Sequence, residues 1–459
     1  MHTDATTPAP RTSVGGQARA LLSLGLPLVG SHVAQMLIAV TDTLMLGWYD
    51  VTDLAALSVS GPIFFIIFIF GSGFAWAVTP MVASALSQDD ERQIRRVTRM
   101  GLWLSILFGS VVIPLFFFAE PIFLAIGQDP DVARQAGLYM PWLGVGILPA
   151  LMVQVLKSYL SALELTRAIL LAVIGAAILN AGVNYLLIFG NLGAPELGIT
   201  GAGIASLTSH IVSLVALVLY AVRKRPDHAL FQNLHRPDPE ILRDVFMIGL
   251  PIGFTLLAEV GLFAASSVMM GWLGEIPLAA HGIALQIASL TFMIPLGLSQ
   301  AVTVRVGRAW GKSDPEALRN AALAGMVLAG IAVIATIAAF LIVPGFLIGL
   351  FVDPDDPQRP AILATGVSLL AIAALFQLVD FGQVMGLGML RGVQDTRVPM
   401  VMAIVSYWLI GLPVAYLFGF VLNWGGVGIW LGLTFGLAAA CVGMQTRFWR
   451  RYGVIQPVS

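Results

Sequence analysis

Charge is scarce in this sequence. Asp, Glu, Lys and Arg supply 11% of its 459 residues, whereas a soluble domain carries about 25%. The shortage excludes a chain of ordinary soluble domains, because the few charges gather in short clusters separated by long apolar runs. Cysteine is nearly missing too. Cys441 stands alone, so no disulfide can form within the chain, and a small side chain inside an apolar segment reads as packing. There is no excess of positive charge: the net charge is −1, which leaves no basic field to attract nucleic acid. No Gly-rich phosphate loop ending in Lys-Ser/Thr is present, so ATP is not expected to drive this protein. His32, His210 and His281 are too scattered for a metal motif, and no clustered catalytic set argues for an integral-membrane enzyme. Nothing resembles the filter of a channel. The polar first twenty residues lack the apolar core and cleavage site of a removable leader, so the first apolar segment is expected to direct membrane insertion itself.

The sequence is rich in what remains. Hydrophobic residues make up 58% of it, in stretches long enough to cross a bilayer core, which takes about 20 residues. Twelve spans are expected, at 20–47, 54–86, 97–118, 137–161, 166–190, 200–222, 243–270, 278–304, 318–343, 361–388, 397–420 and 425–448. The second exceeds a simple crossing and should include turns outside the membrane. Basic residues test the count. Arg11, Arg19, Arg447, Arg450, Arg451 and the even-numbered connections, together with Lys157 at the inner end of span four, hold 22 of the 24 Lys and Arg residues. Lys157 is expected to snorkel outward. Arg134 and Arg359 alone fall on the other side. The positive-inside rule then places both termini in the cytoplasm.

The sequence also repeats. Gly25-Leu26-Pro27 recurs as Gly249-Leu250-Pro251, and Gly47-Trp48 as Gly271-Trp272, at the same spacing. Asp90 in one basic turn matches Asp314 in another, Thr166-Arg167 matches Thr396-Arg397, and Gly201–Ile204 matches Gly426–Ile429. The expected fold is therefore an all-α polytopic membrane protein, with twelve transmembrane helices in two pseudo-symmetric six-helix lobes. The lobes would be 1–222 and 244–459, joined by a cytoplasmic linker at 223–243. Each copy has an even number of spans, so both share one orientation. Parallel repeats of this kind place substrate near the midplane, between halves.

Three carboxylates lie within spans: Asp42, Glu259 and Asp380. An acid at the bilayer centre costs about 2.5–3.5 kcal/mol and marks an ion or proton path. No Lys or Arg is expected deep in a span beside them. A desolvated carboxylate without a basic partner is penalised when charged, so it can exchange a proton for a cation near neutral pH. That is antiporter chemistry. Asn180 and Asn184, four residues apart, share a helix face and can join Asp42. Gln377, Asp380 and Gln383 follow one another at i, i+3 spacing. Gln286 and Phe292 are candidate neighbours of Glu259, the ring offering its π face to a cation. Pro27 and Pro251 remove a backbone hydrogen bond early in spans one and seven and are candidate hinges.

These residues together resemble the multidrug and toxic compound extrusion (MATE) family, in its NorM-type bacterial branch. The resemblance rests on Pro27, the Asp42–Gly47 run, Glu259, Thr303–Gly307, and Asp380 followed by Arg391–Arg397, and it covers nearly the whole chain. It implies export of cationic drugs or metabolites in exchange for Na⁺ or H⁺, from a bacterial-type inner membrane. It implies a first-lobe site of Asp42, Asn180 and Asn184, and a second-lobe cation site of Glu259 and Asp380, which would hold Na⁺ if sodium drives exchange. Some relatives carry Tyr about where Phe292 stands; Phe keeps the aromatic face and lacks the hydroxyl ligand.

The expected function is thus secondary drug/cation antiport by alternating access, with no cofactor beyond the coupling ion. The expected partners are small cations and membrane lipid, and the chain is expected to act as a monomer. A flippase of lipid-linked precursors, with similar lobes, is the alternative. Its anionic cargo would call for buried Arg or Lys, where this sequence offers acids.

Overall fold

The structure, a computed structural model, describes residues 13–453; Arg11, counted above with the basic terminus, lies outside the described residues. Among the described residues every element is helical. Twelve helices are long and apolar enough to span a membrane: α1 (Val14–Tyr49), α2 (Val51–Ser87), α3 (Glu91–Phe117), α4 (Pro130–Ala162), α5 (Thr166–Leu187), α6 (Ile199–Lys224), α7 (Pro239–Leu273), α8 (Glu275–Gly311), α9 (Pro315–Ile342), α10 (Arg359–Gly392), α11 (Arg397–Val421) and α12 (Gly425–Arg451). Every expected span is matched by one of them. Helix is the form that satisfies each backbone group within a single segment where no water is available.

The repeat read from sequence appears as repeated local chemistry. Asp90 accepts from Gln93 N at 2.8 Å and caps α3. Its counterpart Asp314 accepts from Ala317 N at 2.9 Å and caps α9. Each satisfies one of the N–H groups that a helix start leaves open. Just before these caps, Asp89 and Ser313 both take positive φ, and so do Glu164 and Gln394 in the turns after α4 and α10.

By proximity the chain divides into two compact units. One comprises Gly30–Leu257, and the other Ala258 onward together with the residues through Val29. The divisions between these units fall inside α1 and α7. Glycine explains part of this grouping. In the 30–257 unit, a Cβ added at Gly73 of α2 would stand 2.5 Å from Gly253 N, and one at Gly253 would stand 2.7 Å from the Phe70 carbonyl oxygen. Gly249 and Gly253, one turn apart, therefore let α7 lie directly on the α2 backbone, the small-residue packing common between membrane helices. Replacing Gly253 with Leu is expected to lower the thermal midpoint of the purified protein in detergent, since overpacking a tight site costs about 1–3 kcal/mol. An unchanged melting curve would contradict this reading.

The segment between α6 and α7 is tied to the basic end of α3. Arg95 Nε donates to the His228 carbonyl at 2.8 Å, Arg99 Nη1 to the Gln232 carbonyl at 2.9 Å, and Trp103 Nε1 to the Leu234 carbonyl at 2.8 Å. Arg96 pairs with Asp238 at 2.6 Å and Glu240 at 3.1 Å. His228 itself is buried, and its Nδ1 lies 2.6 Å from the Tyr159 hydroxyl. Burial, then Arg225, hold His228 below its ordinary value of 6.5; Arg95 acts the same way, while Asp227 and Glu91 oppose it. The docked segment therefore favours neutral His228. Its contribution is complete above about pH 6.5 and is lost as pH falls through the lowered value. Limited proteolysis within 226–238 should accelerate on acidification, and His228→Gln should flatten that pH dependence.

Candidate functional site

The 30–257 unit buries a polar cluster around Asp42. Asn184 Nδ2 donates to Asp42 Oδ1 at 2.5 Å and also lies 3.1 Å from Asn180 Oδ1. Ser206 of α6 faces the same carboxylate, and Tyr139 of α4 lies against Ser206. All five residues are buried. The i, i+4 spacing of Asn180 and Asn184 brings them onto one face of α5, toward α1, as the sequence implied. Tyr139 and Ser206 escaped the sequence reading because a lone hydroxyl in an apolar helix carries no spacing signal. Asn180 Nδ2 and Asn184 Oδ1 have no hydrogen-bond partner, so the cluster keeps both a donor and an acceptor in reserve. Among the described residues, no Lys or Arg pairs with Asp42.

Lys157 departs from expectation. It is 6% exposed, and its Nζ donates to Gln35 Oε1 at 3.2 Å. The snorkelling expected from its position near a span end fails because α4 continues to Ala162 and is buried on every side from Val153 onward.

The other unit holds a second cluster. Asp380 is buried in α10 and shares its surroundings with Glu259 of α7. Arg391, only 8% exposed, acts electrostatically on Glu259, and Tyr407 feels Glu259, Asp380 and Arg391 together. Gln383 Nε2 donates to the Tyr407 hydroxyl at 2.7 Å. Asp380 Oδ1 and Gln383 Oε1 are buried without hydrogen-bond partners. The expectation that no basic group would lie near these acids is overturned by Arg391. The sequence placed it in a basic connection, yet α10 runs on to Gly392 and is buried throughout its last eleven residues. Tyr407 occupies a widened, π-type stretch of α11, Val405–Gly411. Such stretches often accompany functional sites, and Pro413 just beyond cannot supply the backbone N–H of a regular turn.

Gln377 does not join Gln383. Its Nε2 donates to the Ala288 carbonyl at 3.1 Å and to Thr291 Oγ1 at 2.9 Å, both on α8. Gln286 and Phe292 are half-buried on α8, and among the described residues neither hydrogen-bonds nor stacks with the acids. Pro27 and Pro251 lie within unbroken α1 and α7. Among the described residues no group of three or more His, Cys, Asp or Glu is arranged to hold a metal. An ion at the second cluster would instead meet Glu259, Asp380, Gln383 and Tyr407, oxygen donors suited to a hard monovalent cation.

A family model, MatE, matches the chain twice, over residues 27–186 and 251–417. The chain belongs to the MatE family. The MatE segments begin at Pro27 and Pro251, the two members of the pair that revealed the repeat. The chain is 45% identical over 436 residues to a probable multidrug resistance protein NorM of Rhizobium meliloti (strain 1021), with 94% of this chain and 93% of the relative covered. It is 43% identical over 446 residues to the protein of the same description in Agrobacterium fabrum (strain C58 / ATCC 33970), with 96% of each covered. A solved structure of MATE in complex with MaL6 shares the fold at a TM-score of 0.86 and 22% identity, covering 97% of this chain and 99% of that one. An outward-facing multidrug resistance MATE family transporter does so at 0.84 and 22%, covering 97% and 98%. MatE proteins of this kind are multi-pass membrane transporters rather than enzymes.

Proposed function

We propose that this chain is a multidrug exporter that exchanges organic cations for Na⁺ or H⁺ by alternating access, with its basic helix ends in the cytoplasm. The charge of the two clusters carries the reading. Asp42 is unpaired, giving −1. Glu259 and Asp380 against Arg391 give −2 and +1, again −1. Each cluster is therefore one monovalent positive charge short of neutrality, and burial makes that deficit costly. A proton, Na⁺ or an organic cation can fill it, and each displaces the others. The names of the NorM relatives support multidrug export as the physiological role. The acidic character of both clusters favours cationic cargo over the anionic headgroups of a flippase.

The test is reconstitution into vesicles loaded with a fluorescent organic cation. An opposing gradient of either Na⁺ or H⁺ should drive release well beyond passive leak, and comparing the two gradients identifies the coupling ion. Release indifferent to both would overturn the proposal.

A further inference from the structure

Away from the acidic clusters, two grooves of similar character lie at the basic ends of α6 and α12. One, about 480 Å³, is lined by Met402, Val442, Gly443, Thr446, Arg447, Arg450 and Arg451. The other, about 390 Å³, is lined by Ala216, Leu219, Tyr220, Arg223 and Lys224. The repeat relates the two helices that carry these grooves. Gly201–Ile204 near the start of α6 matches Gly426–Ile429 near the start of α12, which makes the two helices counterparts, although the same alignment sets Arg223-Lys224 opposite Phe448-Trp449 and not opposite Arg450-Arg451. Both helices end on adjacent basic residues, Arg223-Lys224 and Arg450-Arg451.

The linings share a layered chemistry. Their membrane-facing parts are apolar and exposed, with Leu219 at 47% and Val442 at 66%. Their ends carry cations. Arg447 is taken by Asp395 at 2.6 Å. Arg223, Lys224, Arg450 and Arg451 have no carboxylate within pairing distance among the described residues, and Arg451 lies over the Tyr452 ring at 5.6 Å. Such exposed, adjacent cations at the level where an apolar helix leaves the bilayer attract anionic headgroups. The C-terminal helix dipole favours cations at these positions but leaves the pair unneutralised.

We propose that each groove is a binding site for one anionic phospholipid, its phosphate held by Arg223 and Lys224 on α6 or by Arg450 and Arg451 on α12, and one acyl chain lying along the apolar wall. Charge complementarity selects the headgroup, and the apolar wall selects a lipid over a free phosphate. The two sites occupy the basic ends of counterpart helices but are built from different positions of the repeat, so each rests on its own lining.

Native mass spectrometry of the full chain in mild detergent tests this with phosphatidylglycerol, phosphatidylcholine and sn-glycerol 3-phosphate as probes. Two tightly retained phosphatidylglycerol molecules are expected, with neither phosphatidylcholine nor glycerol phosphate held comparably. The doubly substituted Arg450→Gln/Arg451→Gln and Arg223→Gln/Lys224→Gln proteins should each lose one, and the fourfold variant both. Arg134→Gln, at the opposite end of α4, should lose none. Equal retention of phosphatidylcholine, retention of glycerol phosphate, or an unchanged count in the variants would each overturn the proposal. The substituted side chains are exposed, and a monodisperse gel-filtration peak verifies folding of each variant before its count is read.

Discussion

Replacing Asp42 with Asn is expected to reduce gradient-driven export at least about tenfold, the equivalent of about 1.4 kcal/mol in an activation barrier, while leaving the protein as stable as before or more so. The two outcomes have one cause. The Asn side chain has the shape of Asp and can present its carbonyl oxygen to Asn184 Nδ2, so the hydrogen bond now measured at 2.5 Å survives. The change removes the uncompensated charge. A buried acid costs about 2.5–3.5 kcal/mol within a bilayer, and Asn does not bear that cost. A variant that melts no earlier than the parent, yet fails to move a fluorescent cation under a gradient, separates loss of coupling from loss of fold. Undiminished export by Asp42→Asn would remove the first cluster from the mechanism.

How much of this could be read from sequence depended on whether the signal was periodic. The twelve helices were legible because a span needs a long apolar stretch and basic ends, and both survive in one dimension. The repeat was legible in its punctuation, and Asp90 and Asp314 show why: the same cap satisfies the same open N–H groups in each half. The Asp42 cluster was legible because Asn180 and Asn184 are one turn apart. The second cluster was only half legible. Gln377 and Gln383 each sit three residues from Asp380, but together they are six apart. At about 100° per residue they diverge by about 240° around the axis, and they meet α8 and α11 respectively. Arg391 was hidden by its place beside the loop, since sequence cannot show that the end of α10 is enclosed. The close approach of Gly73 and Gly253 depends on three-dimensional packing and leaves no compositional mark.

The second cluster invites a charge-balance experiment. Its two acids and one guanidinium leave a single negative charge, the feature that fits a monovalent ion. Asp380→Asn brings the cluster to neutrality, and so should abolish the stabilisation that a bound cation confers on the native state. That stabilisation reaches about 2.7 kcal/mol at a hundredfold excess over the dissociation constant. Arg391→Gln does the opposite. It leaves half-buried Glu259 and buried Asp380 without the positive charge that acts on Glu259, so this variant should melt below the parent. Combining Asp380→Asn with Arg391→Gln restores one negative charge, on Glu259. The combined variant should regain much of the thermal stability that Arg391→Gln loses. If charge rather than a fixed set of ligands governs the site, it should also regain part of the cation-dependent rise in melting temperature, measured in Na⁺ against choline and across pH. The rise should be absent in Asp380→Asn alone. Stability losses that simply add in the combined variant would show that Asp380 and Arg391 act independently, and would remove charge balance as the principle of the site.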